Sequence, residues 1–212
     1  MTNHIKYSLG LHTTSPQLGL SISNFTGDTR SQVWDLGRDL STHLHLYLAE
    51  FMQPQTWQDL AFIAVAKGPG SFTGTRIGVV TARTLAQQLN ISLFSISTLA
   101  AIARSAKEKY SPKDAIAVSM DARRGQVFVA IYQISEDNSD LQVLLPDSTM
   151  TRDIWQQTLD NLKTNYHLVD APVNLGNTVN SILELAYLDW QKGNRPQWLE
   201  ALPFYGQHPV NQ

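Results

Sequence analysis

A chain of 212 residues, 42% hydrophobic and 16% charged, holds enough apolar material for a sizeable core, which excludes wholesale disorder. Its formal net charge of −2 argues against a protein that grips nucleic acid alone by counterion release, and the lack of cysteine excludes disulfides, thiolate nucleophiles and cysteine–zinc sites. No run approaches roughly 18 uninterrupted apolar residues, and MTNHIKYSLGLHTTSP has no long apolar core, so the expectation is a cytoplasmic protein without a membrane partner.

Residues 5–12 and 17–25 read as strands, the second with Leu18, Leu20 and Ile22 alternating against Gly19, Ser21 and Ser23. The turn TTSP, closed by Pro16, joins them, and residues 31–36 give a shorter strand. The period then changes: Leu36, Leu40, Leu44, Tyr47 and Phe51 recur at helical spacing over 36–53, and Pro54 helps end the helix. LAFIAVA (60–66) is a continuous apolar run, typical of a strand buried on both faces of a parallel sheet. A glycine loop follows, then a helix from about 74 to 89 stopped by Asn90, a strand at 91–97 and a helix at 98–110. Strand and helix in alternation predict crossover units on a parallel sheet.

SPKD (111–114) is the natural boundary, giving domains at 1–110 and 111–212. Beyond it, residues 115–135 supply a strand, the turn DARRG and a second strand, and 140–146 a third. Helices are expected at 151–163 and 178–192, with a strand near YHLVDAP (166–172) between them. Setting His12 on Asp121 also sets Gln17 on Gln126, as a duplicated β-hairpin with crossover units would.

The loop Gly68, Pro69, Gly70, Ser71, Phe72, Thr73, Gly74 invites a phosphate reading. A P-loop needs a lysine and a hydroxyl residue after its last glycine, whereas Thr75 and Arg76 stand here; the dinucleotide fingerprint fails on glycine spacing. The helix start can still attract an anion, and Ser71 or Thr73 can instead cap the same N–H groups. Behind the loop, Gly78, Ala82 and Ala86 step by four, a ridge nearly free of side chains with Arg76, Arg83 and Gln87 beside it. Such a ridge accepts either a partner helix or the chain's own sheet. Ile77 and Val80 point elsewhere, which fits a helix covered on two sides.

The six histidines, His4, His12, His43, His45, His167 and His208, are dispersed, and no HExxH or HxxxH pair exists, which argues against a zinc or iron site. In DARRG, Asp121 suits a turn cap, a magnesium ligand or a base; Arg123 and Arg124 suit a phosphate or a partner's carboxylate.

KGPGSFTGTRIGVVTARTLAQQL, SISTLAAIA and DARRGQVFVAIY together resemble the TsaB (YeaZ) family of bacterial tRNA threonylcarbamoyladenosine biosynthesis proteins, and the likeness runs to ALPFYGQHPV (201–210). The resemblance implies a two-lobed actin-like ATPase (ribonuclease H-like) α/β fold, each lobe a mixed sheet with crossover helices. It implies a non-catalytic scaffold that binds the related catalytic subunit TsaD and works with TsaE. That assembly transfers threonylcarbamoyl to the adenosine next to the anticodon of tRNAs reading codons that begin with A. No tightly bound cofactor is implied, ATP belonging to the TsaD/TsaE complex, and a homodimer is the alternative partner state. Carried onto this chain, the partner surface falls on Leu40, Leu44 and Tyr47 of one helix. On the ridged helix it falls on Arg76, Gly78, Val79, Ala82, Arg83 and Ala86. Family members usually carry DTS where this chain has HTTS, with His12 in the place of a magnesium-associated acid. That departure weighs against the other enzyme readings, an actin-fold ATP-dependent kinase or a glycoprotease-like hydrolase, and leaves the scaffold reading intact. A homodimeric regulatory module is the third reading.

Overall fold

A computed structural model describes residues 6–137 and 139–206. In chain order the elements are β1 (Tyr7–His12), β2 (Gln17–Ser23), β3 (Thr29–Asp35), α1 (Leu40–Met52), β4 (Leu60–Ala66), α2 (Phe72–Leu89), β5 (Ser92–Ile96) and α3 (Thr98–Ala106). They continue as β6 (Ala115–Asp121), β7 (Gln126–Ile134), β8 (Leu141–Thr151), α4 (Arg152–Asp160), β9 (Tyr166–Asp170) and α5 (Val179–Gln191). Contacts divide the chain into two units, Met1–Thr98 with Asn174–Phe204 and Leu99–Val173 with Tyr205–Gln212. That division differs from a boundary at residue 110. The SPKD turn is polar, with Ser111, Pro112 and Lys113 exposed, but does not separate the cores, because α3 lies on the second unit's side, where Arg104 donates to the carbonyl of Ser139 at 2.7 Å. The last helix returns to the first unit, where Val179 and Leu183 pack over Gly10.

In the first unit the sheet order is β3-β2-β1-β4-β5, antiparallel through β1–β3 and parallel from β1 to β4 and β5. Leu9, Leu11, Leu18, Leu20, Ile22, Ile63 and Val65 point to one face, where they meet Leu40, Leu44 and Leu48 of α1 and Val79, Ala82 and Ala86 of α2. Each large aliphatic side chain buried there contributes about 1.5–3 kcal/mol. The other face carries the small residues of β2: Ser21 donates to Asn180 of α5 at 2.7 Å. All of β2 is buried. Its alternation therefore separates large from small side chains, which lets helices approach both faces, rather than separating core from solvent.

The second unit repeats the pattern with order β8-β7-β6-β9: β6–β8 form an antiparallel meander, α4 follows, and β9 lies parallel to β6. β1 ends at His12 and β2 starts at Gln17; β6 ends at Asp121 and β7 starts at Gln126. The duplication read from the sequence is thus the repeat of the fold, and both sheets are the mixed α/β sheets that the actin-like resemblance implies. Ala117, Val127, Val129 and Ile131 pack on Trp155 and Leu159 of α4. β8 runs to Thr151, past the expected end at residue 146, with a register shift opposite Val129 and Ile131 as it passes Pro146.

Candidate functional site

The glycine loop leaves β4 after Ala66 and enters α2 through Ser71, whose hydroxyl accepts from the N–H of Gly74 at 3.2 Å. The capping reading is the one realised. The β1–β2 turn lies directly against the loop. The N–H of Ser71 donates to the carbonyl of Thr14 at 2.7 Å, and the Thr13 hydroxyl donates to the carbonyl of Gly74 at 2.8 Å. A Cβ on Gly70, Gly74 or Gly78 would collide with Thr14 O, Thr13 O and Thr13 Oγ1 respectively. The glycines are therefore accounted for by close backbone approach of the Thr13–Ser15 turn, which is itself buried. Thr98 completes the lock, its N–H donating to the carbonyl of Gly68 at 2.9 Å and its hydroxyl 3.2 Å from that of Thr14.

His12, in the place of the expected acid, is 0% exposed. Its Nδ1 lies 3.4 Å from the N–H of Thr14, and Nε2 has no hydrogen-bond partner among the described residues. Burial pushes the imidazole down to about 3 from its ordinary 6.5, so the ring is neutral at physiological pH. Among the described residues no group of three or more His, Cys, Asp or Glu side chains has a metal-holding arrangement. His4 and His208 lie outside the described residues, as do positions 207–210 of the ALPFYGQHPV ending.

The expected partner surface needs correction. Leu40 and Leu44, and Gly78, Val79, Ala82 and Ala86, are buried in the first unit's own core. The small-residue ridge serves the chain's own sheet: without side chains there, α2 lies close on β1 and β4. Tyr47 is half-buried against Trp34, with ring centroids 4.9 Å apart, and Arg83 is half-buried with its guanidinium 5.9 Å from the Trp198 ring. Of the residues carried over, Arg76 is the exposed one.

On the opposite side of α2 runs a second stripe at four-residue spacing: Phe72, Arg76, Val80, Thr84 and Gln88, all exposed. Phe72 and Val80 are 54% and 59% exposed, and Arg76 sits over the Phe72 ring at 5.3 Å. Leu46 of α1 is exposed to a similar degree, 54%. Val80, pointing away from the ridge, was the sequence signal for this face.

At the β6–β7 turn, Asp121 accepts from the N–H of Arg123 at 3.3 Å and pairs with Arg152 at 3.3 Å. It is exposed and occupied as a turn cap. Arg123 and Arg124 are exposed, with φ of 64° and 51°. Among the described residues no helix is long and apolar enough to cross a membrane.

Residues 39–147 match the family model described as TsaD: tRNA N6-adenosine threonylcarbamoyltransferase. The chain is 41% identical over 102 residues to the tRNA threonylcarbamoyladenosine biosynthesis protein TsaB of Bacillus subtilis (strain 168), across 48% of this chain and 42% of that protein. It is 34% identical over 131 residues to the protein of the same name from Buchnera aphidicola subsp. Acyrthosiphon pisum (strain APS), across 61% and 58%. The chain thus spans about half the length of the curated relatives it matches. Two solved structures from Pseudomonas aeruginosa share the fold. One, a protein with similarity to peptidase YEAZ, has a TM-score of 0.78 at 19% identity over 95% of this chain and 100% of its own. The other, YeaZ, has a TM-score of 0.73 at 20% identity over 94% and 99%.

Proposed function

As the chain belongs to the family that the TsaD model describes, we propose that it is a member of the TsaB/YeaZ type, a non-catalytic subunit of a tRNA-modifying assembly. The reaction is transfer of a threonylcarbamoyl group to the adenosine beside the anticodon of tRNAs reading codons that begin with A. The chain docks a TsaD-type catalytic subunit, works with TsaE, and leaves ATP use to those partners in the cytoplasm. A second copy of the chain takes the same face when the catalytic subunit is absent.

The observation that carries this reading is the exposed stripe of α2, with Phe72 and Val80 more than half exposed and Arg76 held over Phe72. Arginine is enriched among the residues that carry interface binding energy, and phenylalanine is enriched at interface cores. Covering the exposed half of Phe72 and of Val80 supplies about 1 kcal/mol each. His12 supports the non-catalytic part: a neutral, fully buried imidazole offers neither the charge nor the access of a magnesium-associated carboxylate. The test is a pull-down with a TsaD-type subunit. Phe72→Ala with Val80→Arg should weaken capture by more than about tenfold. Capture at wild-type affinity by the folded double variant removes the stripe from the interface.

A further inference from the structure

We propose that Arg123 and Arg124, at the turn joining β6 to β7, contact the phosphate backbone of RNA. The inference rests on the reading of the chain as part of a tRNA-modifying assembly and adds a direct RNA contact made by this chain.

Both arginines are exposed, and neither makes an ion pair among the described residues. The one acid of the turn, Asp121, is already engaged by Arg152 and by the N–H of Arg123, each at 3.3 Å. The tip is therefore positive within a chain whose formal net charge is −2.

The backbone supplies an independent observation. Arg123, Arg124 and Gly125 have φ of 64°, 51° and 73°, three left-handed residues in succession. Glycine and asparagine take that conformation readily and arginine does not. Nothing lies within 4 Å of the place a Cβ on Gly125 would occupy, and Arg123 and Arg124 beside it are exposed. The hairpin is closed by two bonds of 3.0 Å, Ala122 N–H to Gln126 O and Gln126 N–H to Arg123 O, which fix how the arginines are presented. Arginines held in a disfavoured conformation, where easier residues would make the same turn, point to a task outside the fold.

The counterpart in the first unit makes the contrast. There the turn Thr13–Ser15 is buried beneath the start of α2, whereas Asp121 and Arg123–Gly125 are exposed. A protein carboxylate would need a ring of apolar surface to dry the pair, and the neighbours Asp121, Gly125 and Arg152 are exposed and offer none. Phosphates need no such ring, because release of their condensed counterions drives binding to bare cations.

The test uses the full chain assembled with a TsaD-type subunit and a fluorescently labelled, unmodified tRNA transcript, with anisotropy read between 50 and 200 mM salt, a range set by roughly where counterion release is measured. Arg123→Asn with Arg124→Gly should lower the slope of log affinity against log salt by about 2, while Arg123→Lys with Arg124→Lys should keep it. The Asn/Gly variant should also melt about 2–4 °C higher, because the strain is relieved. An unchanged salt slope with the subunit still bound overturns the proposal. Loss of subunit capture in pull-down, with the slope of the chain alone unchanged, overturns it in favour of a protein carboxylate. If the wild-type chain does not capture the subunit, the scaffold reading fails on its own, and the slope measured on the chain alone still decides the RNA contact.

Discussion

Two positions two residues apart on α2 should answer the same substitution in opposite ways. Val80 is 59% exposed and Ala82 is 0% exposed, inside a cluster with Val79, Ala86 and Val65. Val80→Arg places a charge in water and should change stability by no more than about 0.5 kcal/mol. Ala82→Arg inserts a long side chain into a packed helix–sheet contact, an overpacking of about 1–3 kcal/mol. It also buries a guanidinium with no acid beside it, which adds several kcal/mol, roughly 3–5. Together these rival the 5–15 kcal/mol or so that holds a domain folded. For a chain of this size they correspond to a fall in Tm of about 10–25 °C or outright unfolding. Circular-dichroism melting of both variants, run beside a pull-down with a TsaD-type subunit, reads fold and docking separately. Val80→Arg should melt like the wild type and lose the subunit; Ala82→Arg should melt early. An Ala82→Arg chain that melts like the wild type would show that the small-residue ridge faces outward and that α2 is placed wrongly on its sheet.

Further outcomes follow from the same contacts. His12 has a folded-state pKa of about 3 against an ordinary 6.5, so between those values the unfolded chain binds more protons and stability is lost as pH falls through the window. The loss reaches about 4–5 kcal/mol at the acid end, and His12→Gln should flatten that part of a denaturation-against-pH curve. Gly74→Ala drives a methyl group into the carbonyl of Thr13 and should destabilise by more than about 2 kcal/mol in urea unfolding. Ser71→Ala removes the cap of α2 and should cost about 1 kcal/mol in the same measurement.

What the sequence disclosed was what local chemistry decides. The hairpins around His12 and Asp121, the buried run 60–66 and the stop at Asn90 depend on neighbours within a few residues, and each stands where it was read; Asn90 takes φ 53°. Helical periodicity separated the faces of α2 correctly but could not say which neighbour lies on which face. Gly78, Ala82 and Ala86 suit a sheet as well as a partner helix, and the sheet took them. Leu40 and Leu44 likewise lie on the core side of α1. The return of α5 to the first unit depends on contacts such as Ser21 with Asn180, 159 residues apart, which no local pattern carries. The extension of β8 was hidden because polar Asp147, Ser148 and Thr149 carry no apolar alternation, yet in an edge strand Ser148 and Thr149 pair with Val129 and Phe128 of β7.

The most direct measurement is threonylcarbamoyl transfer to an unmodified tRNA transcript in a reconstituted reaction, with the chain and the TsaD-type subunit supplied separately and together. The chain alone should give no turnover, the pair should give turnover once TsaE and the carbamoyl donor are present, and Val80→Arg should abolish the chain's contribution. Turnover by the chain alone, or by the TsaD-type subunit equally well without it, would contradict the account.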